Sequence, residues 1–189
     1  MGSTADGLAG KIKNKKASIG IVGMGYVGIP LGLEFARNGF TVTGFDKDSN
    51  RVEDINAGKQ VLKHMPASAM REFVKKNEGS STSEFSKLRD MDCLIICVPT
   101  PLDEHKQPDM SYIESASEMI SKYLQRGQLI ILESTTYPGT TDELLKNDSL
   151  SKRHPSENAG KVPHLLSPLN LELPSRRTVA VTKYFWANL

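Results

Sequence analysis

Short apolar runs alternate along the chain with stretches in which apolar residues recur every three or four positions. The runs cover residues 18–22, 40–45, 92–98 and 128–132 and predict buried strands. Helical patterns lie between or after them, over residues 26–38, 49–57, 67–76 and 111–124. Strands that alternate with helices predict an α/β fold, a Rossmann-like doubly wound parallel sheet with helices on both faces.

The remaining parts of the chain carry weaker patterns. Residues 1–16 form a polar, Lys-rich lead-in in which residues 8–15 could make a short helix. Residues 78–83 are rich in Ser and Thr and predict a polar loop. A helix is expected to start over residues 140–145, and beyond it only residues 178–182 resemble a strand. We therefore predict one domain over 17–145 and an irregular C-terminal extension over 146–189.

Charge and composition exclude several classes of function. The chain of 189 residues has a net charge of +2, which gives no electrostatic reason to expect a nucleic-acid partner or a membrane surface. No apolar run is long enough to span a bilayer, and no apolar segment follows the N-terminal lysines as in a secretory signal, so we expect a cytoplasmic protein. The four histidines do not cluster, and no metal site is expected.

A glycine-rich turn follows the first predicted strand and opens the first predicted helix. It is the segment Gly23-Met24-Gly25-Tyr26-Val27-Gly28, with the pattern G-x-G-x-x-G. The first glycine permits a tight turn, the second lets a pyrophosphate approach the backbone, and the third lets the helix pack closely on the strand. The N–H groups at the start of the helix attract phosphate. This context predicts a dinucleotide site.

An acidic residue supports NAD as the dinucleotide. Asp46 ends the next strand, eighteen positions after Gly28, where a carboxylate accepts hydrogen bonds from the adenosine ribose hydroxyls. A carboxylate also repels the 2′-phosphate of NADP. Lys47 and Arg51 are nearby cations that weaken this preference without reversing it.

Two further predicted strands end in polar or rigid segments at the same edge of the sheet. Residues Val98, Pro99, Thr100 and Pro101 follow one strand, and Glu133, Ser134 and Thr135 follow the other. A hydroxyl or carboxylate there can contact a cofactor, or orient a water molecule that takes part in catalysis. The alternatives are a stiff turn for the first segment and turn or helix-capping chemistry for the second.

Cys93 and Cys97 lie four residues apart in one predicted strand. Their backbones should be about 13 Å apart, which is too far for a disulfide. We expect both to be small buried apolar residues.

Three segments together resemble the UDP-glucose/GDP-mannose dehydrogenase family, the nucleotide-sugar 6-dehydrogenases. They are I-G-I-V-G-M-G-Y-V-G-I-P-L at 19–31, I-I-C-V-P-T-P-L at 95–102 and L-E-S-T-T-Y-P-G-T-T at 132–141. The third, with P-D-M-S-Y at 108–112, is most similar to the branch that acts on UDP-N-acetylhexosamines.

The resemblance implies an NAD-dependent enzyme with a UDP-sugar as its second ligand. The expected reaction oxidises the C6 alcohol of UDP-N-acetylglucosamine or UDP-N-acetylmannosamine to a carboxylate, consuming two NAD, and supplies precursors of surface polysaccharides. Thr135 matches a threonine near the catalytic water, and Thr100 and Pro101 match the loop that lines the cofactor cleft. Glu133 is expected to have a supporting role.

The chain also departs from the family pattern. Family members are more than twice as long and carry their catalytic cysteine in a later G-x-G-G-x-C motif, which these 189 residues do not contain. Without that thiol the thiohemiacetal that links the two oxidation steps cannot form. The prediction is an NAD-binding domain that is catalytically incomplete alone. The alternatives are an NAD-binding module and a non-functional remnant, and the oligomeric state stays open.

Overall fold

The computed structural model describes residues 4–75, 79–102, 104, 109–134 and 183–186. These residues contain one sheet of six strands. Its strands are β1 Ser18–Val22, β2 Thr41–Phe45, β3 Gly79–Thr82, β4 Cys93–Ile96, β5 Leu129–Leu132 and β6 Lys183–Trp186. Their order is β3-β2-β1-β4-β5-β6. The first five strands along the chain are parallel, and β6 pairs antiparallel with β5.

Helix α1 Thr4–Lys13 precedes β1, and the other helices connect the parallel strands. They are α2 Gly28–Arg37, α3 Ser49–Asn56, α4 Ala67–Lys75 and α5 Ser111–Ser121, with a 3₁₀ helix at Phe85–Asp90. None of the helices in this described part is long and apolar enough to cross a membrane.

The direction in which the chain adds strands reverses at β1. Helix α2 leads from β1 to β2, and α3 and α4 lead on to β3 at one edge of the sheet. The chain then crosses by the 3₁₀ helix to β4, on the other side of β1, and Ile21 of β1 pairs with both Gly44 and Ile95. This confirms the expected Rossmann-like sheet. In such sheets the ligand crevice lies at the carboxyl ends of the strands where the order reverses, here between β1 and β4.

Apolar side chains alternate between the two faces of the central strands. Ile21 and Ile95 belong to a cluster with residues of α2 and α4, whereas Val22 and Ile96 belong to a second cluster with residues of α5. Because β1 and β4 are covered on both faces, their sequences are nearly continuous apolar runs. The fully buried members include Ile21, Ile29, Phe73, Leu94, Ile96, Ile113 and Ile120.

The prediction of a polar loop over residues 78–83 is wrong, because Gly79–Thr82 forms strand β3. The strand lies at the edge of the sheet, so it needs no alternating apolar residues. Its backbone pairs with β2 on one side. On the other side Asn56, at the end of α3, exchanges two hydrogen bonds of 2.8 Å with the backbone N–H and carbonyl of Ser81. Backbone pairing and one amide side chain hold this segment in the sheet.

Helix α2 forms where expected but buries other positions than those that define its pattern. Val27, Leu31 and Phe35 recur every four positions in the predicted helix over 26–38, whereas the structure buries Ile29 and Leu33 and leaves Val27 half exposed. Leu31 and Phe35 pack only at the margin of the core. An apolar stripe covers more than one row of residues, so either row predicts the helix but not its buried face.

The elements predicted at the two ends of the chain also differ from those in the structure. The lead-in contains α1, which starts earlier and ends earlier than the predicted helix over residues 8–15. Residues 183–186, inside the extension expected to be irregular, form β6. The predicted helix at 140–145 and strand at 178–182 lie outside the described residues. The domain boundary at residue 145 stays a prediction.

Helix α1 is attached to the amino end of the sheet through Asp92. One carboxylate oxygen accepts a hydrogen bond of 2.6 Å from Lys11 of α1, and the other accepts the N–H of Ser18 at 2.9 Å. Partial burial by itself raises the pKa of this carboxyl, but its hydrogen bonds to Lys11 and Ser18 outweigh that effect and lower the pKa overall. The ionised carboxylate therefore stabilises the fold.

We expect Asp92→Asn to lower the free energy of unfolding by about 1.5–3 kcal/mol at pH 7, the range for a hydrogen bond to a charged group. The folded pKa lies below the ordinary carboxyl value of about 3.9, so the contribution is complete well above that value and is lost as the pH falls through it. Urea unfolding at pH 7, 5, 4 and 3 should therefore show the two proteins converging. The matched control is Asp54→Asn, which removes an exposed pair with Lys59 and should change stability little at every pH. A gap between wild type and Asp92→Asn that stays constant down to pH 3 would contradict this account.

Candidate cofactor-binding site

The carboxyl ends of β1, β2, β4 and β5 meet at one edge of the sheet, and most of the candidate residues lie there. The glycine turn follows β1, and Asp46, Lys47 and Arg51 follow β2 or begin α3. The segment from Val98 to Pro101 follows β4, and Glu133 and Ser134 follow β5. Thr135 lies outside the described residues. The structure therefore brings together four segments that are far apart in sequence.

The first and third glycines of the turn are required by contacts within the chain. Gly23 has a φ of +99°, and a Cβ there would lie 2.8 Å from the carbonyl oxygen of Cys97. A Cβ at Gly28 would collide with the carbonyl oxygen of Gly23. These two positions close the turn and let α2 start against β1.

The second glycine faces open space. The nearest atom to a Cβ built at Gly25 is the Arg51 Nη1, 3.9 Å away. The protein itself thus leaves room for a side chain at this position. A glycine that the chain does not need is explained by a ligand that approaches the backbone closely.

Met24 attaches the turn to the rest of the sheet. Its N–H donates to the Asp46 Oδ2 at 2.9 Å, and its carbonyl accepts from the Arg51 Nη1 at 3.2 Å. Its side chain is completely buried and lies where a Cβ on Gly44 would be. In addition, the N–H of Gly23 donates to the carbonyl of Phe45 at 2.8 Å. The end of β2 and the start of α3 therefore hold the turn in place.

The Asp46 carboxylate lies beside the turn and is only 12% exposed. Its Oδ2 accepts the N–H of Met24, and its Oδ1 accepts the N–H of Asp48 at 3.0 Å. A carboxylate has about four lone-pair positions, so each oxygen can accept one more hydrogen bond. The group is fixed in orientation and still able to accept ribose hydroxyls.

Each of the two cations at this edge lies beside a partner in the chain. The Arg51 guanidinium lies 3.9 Å from the carboxylates of both Asp46 and Asp48, which balance its charge. The Lys47 Nζ lies 5.6 Å from the centre of the Tyr112 ring, at the start of α5. Lys47 thus joins the β2 side of the edge to the helix that follows β4.

The turn has the backbone groups that a pyrophosphate needs. Val27 is the N-cap of α2 and makes no capping hydrogen bond with its side chain. Within the described part of the chain, the N–H groups of Tyr26 and Val27 donate to no backbone carbonyl. Free N–H groups at a helix start bind anions. With the space at Gly25 and the acceptors on Asp46, these residues fit a dinucleotide.

The strand ends on the other side of β1 are tied to each other. The Ser134 hydroxyl donates to the carbonyl of Val98 at 2.7 Å, and the N–H of Glu133 donates to the carbonyl of Ile96 at 2.9 Å. Ser134 thus has a structural partner, as the turn alternative expects, and its oxygen remains free only as an acceptor. Thr100 is partly exposed, and Pro99 and Pro101 are exposed at the surface of this segment.

Both cysteines are buried in β4 or directly after it, as expected. Burial raises the pKa of each thiol to about 12, with a further contribution from Asp92 at Cys93 and from Glu133 at Cys97. A thiol is nucleophilic as its thiolate, so neither residue is suited to covalent catalysis at neutral pH. Among the described residues there is also no group of three or more His, Cys, Asp or Glu that could hold a metal ion.

Two aromatic contacts at this edge were not predicted. The Tyr26 ring stacks on the His64 ring with centroids 5.3 Å apart and planes 14° apart, and Tyr112 lies under Lys47. His64 is exposed, and its ring is paired with that of Tyr26. No spacing pattern connects residues 38 positions apart, so only the fold brings His64 to the turn.

Comparison with known proteins shows the family to which this chain belongs. Residues 17–168 match the profile of the UDP-glucose/GDP-mannose dehydrogenase family, NAD binding domain. The chain belongs to this family. The match includes the glycine turn, Asp46 and both later strand ends, and it confirms the expected resemblance and NAD as the cofactor.

Individual relatives agree in the part they share with the chain. It is 40% identical over 129 residues to UDP-N-acetyl-D-glucosamine 6-dehydrogenase of Pseudomonas aeruginosa, covering 68% of this chain and 30% of the relative. It is 38% identical over 138 residues to UDP-N-acetyl-D-mannosamine dehydrogenase of Methanocaldococcus jannaschii. This match covers 70% of this chain and 31% of the relative. The chain thus spans about a third of the length of these relatives.

A solved structure shows the same architecture. The crystal structure of NDP-N-acetyl-D-galactosaminuronic acid dehydrogenase from Methanosarcina mazei Go1 superposes with a TM-score of 0.67 and is 31% identical. The superposition covers 77% of this chain and 33% of that one.

The open space at Gly25 and the crowding at Gly28 predict opposite results for the same substitution. Gly25→Ala should leave the melting temperature unchanged but weaken NAD binding by about tenfold or more, or ~1.4 kcal/mol, because the methyl group occupies the space of the pyrophosphate. Gly28→Ala should lower the free energy of unfolding by about 1–3 kcal/mol or more, as overpacking does. Thermal unfolding and calorimetric titration of both variants with NAD measure the two effects. Equal loss of stability in the two variants would refute the distinction.

Proposed function

We propose that this chain is the NAD-binding part of a UDP-N-acetylhexosamine 6-dehydrogenase. The observation that carries the proposal is the Asp46 carboxylate fixed beside a glycine turn whose N–H groups at Tyr26 and Val27 donate to no carbonyl of the described residues. The substrate class rests on the segment from Glu133 onward and on the relatives, whose names specify UDP-N-acetyl-D-glucosamine and UDP-N-acetyl-D-mannosamine.

Each group at the edge of the sheet has a role in this proposal. The N–H groups of Tyr26 and Val27 bind the pyrophosphate, and Gly25 lets it approach. Asp46 accepts the hydroxyls of the adenosine ribose. Bound NAD supplies the hydride acceptor for oxidation of an alcohol. The segments after β4 and β5, with Thr100 and Ser134, form the opposite wall of the cleft, and Glu133 and Thr135 orient water or substrate there.

In this proposal neither thiol of the chain acts as a nucleophile. Cys93 and Cys97 belong to the apolar cluster on the α2 face of the sheet, and the pKa of each is raised to about 12. A covalent thiohemiacetal needs an accessible thiolate. We therefore propose that the 189-residue chain binds NAD and does not oxidise the sugar by itself.

A titration followed by an activity assay tests this proposal. Calorimetric titration of the 189-residue chain with NAD should give a saturable binding curve. NADH production should stay at background with UDP-N-acetylglucosamine and with UDP-glucose, because no thiolate is available. Cys93→Ala/Cys97→Ala, as the matched control, should bind NAD like wild type. Sustained NADH production would contradict the proposed lack of turnover, and absence of NAD binding would contradict the proposed function itself.

The charge on Asp46 predicts the choice between NAD and NADP. Asp46→Asn keeps an oxygen that can accept the N–H of Met24 but removes the charge that repels a 2′-phosphate. The ratio of the NADP to the NAD dissociation constant should fall by about tenfold, since a change of ~1.4 kcal/mol corresponds to that factor. Asp48→Asn is the matched control, because Asp48 caps α3 and Asn is an equally good N-cap. An unchanged ratio in Asp46→Asn would contradict the proposed role of Asp46 at the ribose.

A further inference from the structure

The glycine turn has few side-chain attachments between its two buried ends. Met24 and Ile29 are both buried in the core. The four residues between them include two glycines, and the Val27 side chain is 52% exposed. Tyr26 is 70% exposed, and among the described interactions its side chain makes only the stack on His64. The stack is thus the one side-chain tether that the described contacts give these four residues.

His64 belongs to a turn that is itself well held. The turn connects α3 to α4, and Leu62 within it is 5% exposed and part of the core. The Gln60 Nε2 donates to the carbonyls of Leu62 and Lys63 at 3.2 Å, and the N–H of Met65 donates to the carbonyl of Leu62 at 3.1 Å. A ring fixed on such a turn can restrain the partner that it touches. Two nearly parallel rings 5.3 Å apart are in the range of offset stacking.

The restrained residues are those that receive the pyrophosphate in the proposed function. Tyr26 and Val27 carry N–H groups without a backbone acceptor in the described part of the chain. Binding is stronger when such groups are held in the bound conformation beforehand, because less conformational entropy is lost.

We propose that His64 is a positioning residue for the cofactor. Its ring, stacked on Tyr26, holds the backbone of residues 25–28 in the conformation that accepts the pyrophosphate. The inference rests on the proposed function for its consequence in binding, but the bracing itself is a property of the protein without ligand. The ring face and not the imidazole nitrogens makes the contact, so another aromatic ring can replace it.

Three variants test the role of the ring: His64→Ala removes it, His64→Phe restores a ring, and Lys63→Ala changes an exposed neighbour on the same turn. Two measurements are made on each. Calorimetry gives the dissociation constant for NAD. Amide hydrogen exchange by NMR, without ligand, reports opening at Ile29 and Leu31, whose N–H groups donate to the carbonyls of Gly25 and Val27 at 3.1 Å. Thermal unfolding verifies that all three variants are folded.

We expect His64→Ala to weaken NAD binding about three- to tenfold, the effect of one aromatic stack, and to speed exchange at Ile29 and Leu31. His64→Phe should return both values to within about twofold of wild type on the same scale, and Lys63→Ala should change neither. Unchanged NAD binding in His64→Ala would overturn the inference, and so would a His64→Phe variant as weak as His64→Ala.

The two proposals fail in different ways. If wild type does not bind NAD, the proposed function is wrong, and the exchange measurement alone decides about the bracing. The brace is then supported if exchange is faster in His64→Ala and returns to the wild-type rate in His64→Phe. Unchanged exchange in His64→Ala overturns it.

Discussion

The position of Met24 determines where the glycine turn lies. Asp46 accepts its N–H, Arg51 donates to its carbonyl, and its side chain fills the space over Gly44. These three contacts come from the end of β2 and from α3, so the groups proposed to bind the pyrophosphate and the carboxylate proposed to bind the ribose are positioned by the same residues. A displacement of Asp46 would therefore move the turn as well as the acceptor. The geometry of the whole edge depends on this small network.

The buried strands could be predicted because they are covered on both faces. Residues of β1, β4 and β5 have to be apolar to fill the two clusters, and that requirement appears in the sequence as continuous runs. Strand β3 has no such requirement. Ser80 is exposed, and Ser81 is held through its backbone by β2 and Asn56, so its sequence resembles a loop. The fold of the edge strand follows from pairing partners that are distant in sequence.

The candidate site divides in the same way. The glycines and Asp46 were predictable because their spacing is local and each type has a physical reason. The bond from Ser134 to Val98 and the stack of His64 on Tyr26 join residues 36 and 38 positions apart. Such contacts depend on which strands become neighbours and on how the turn after α3 folds back. A pattern along the chain contains neither piece of information.

The burial of both cysteines has a practical consequence for solution studies. The folded chain presents no reactive thiol of its own, since Cys93 and Cys97 are both buried and protonated at neutral pH. Leu102, next to the segment after β4, is 66% exposed. A Leu102→Cys variant would thus take a maleimide dye at a single position beside the segment proposed to line the cleft. The native sequence offers a background against which one fluorescent label can follow occupancy of the cleft in real time.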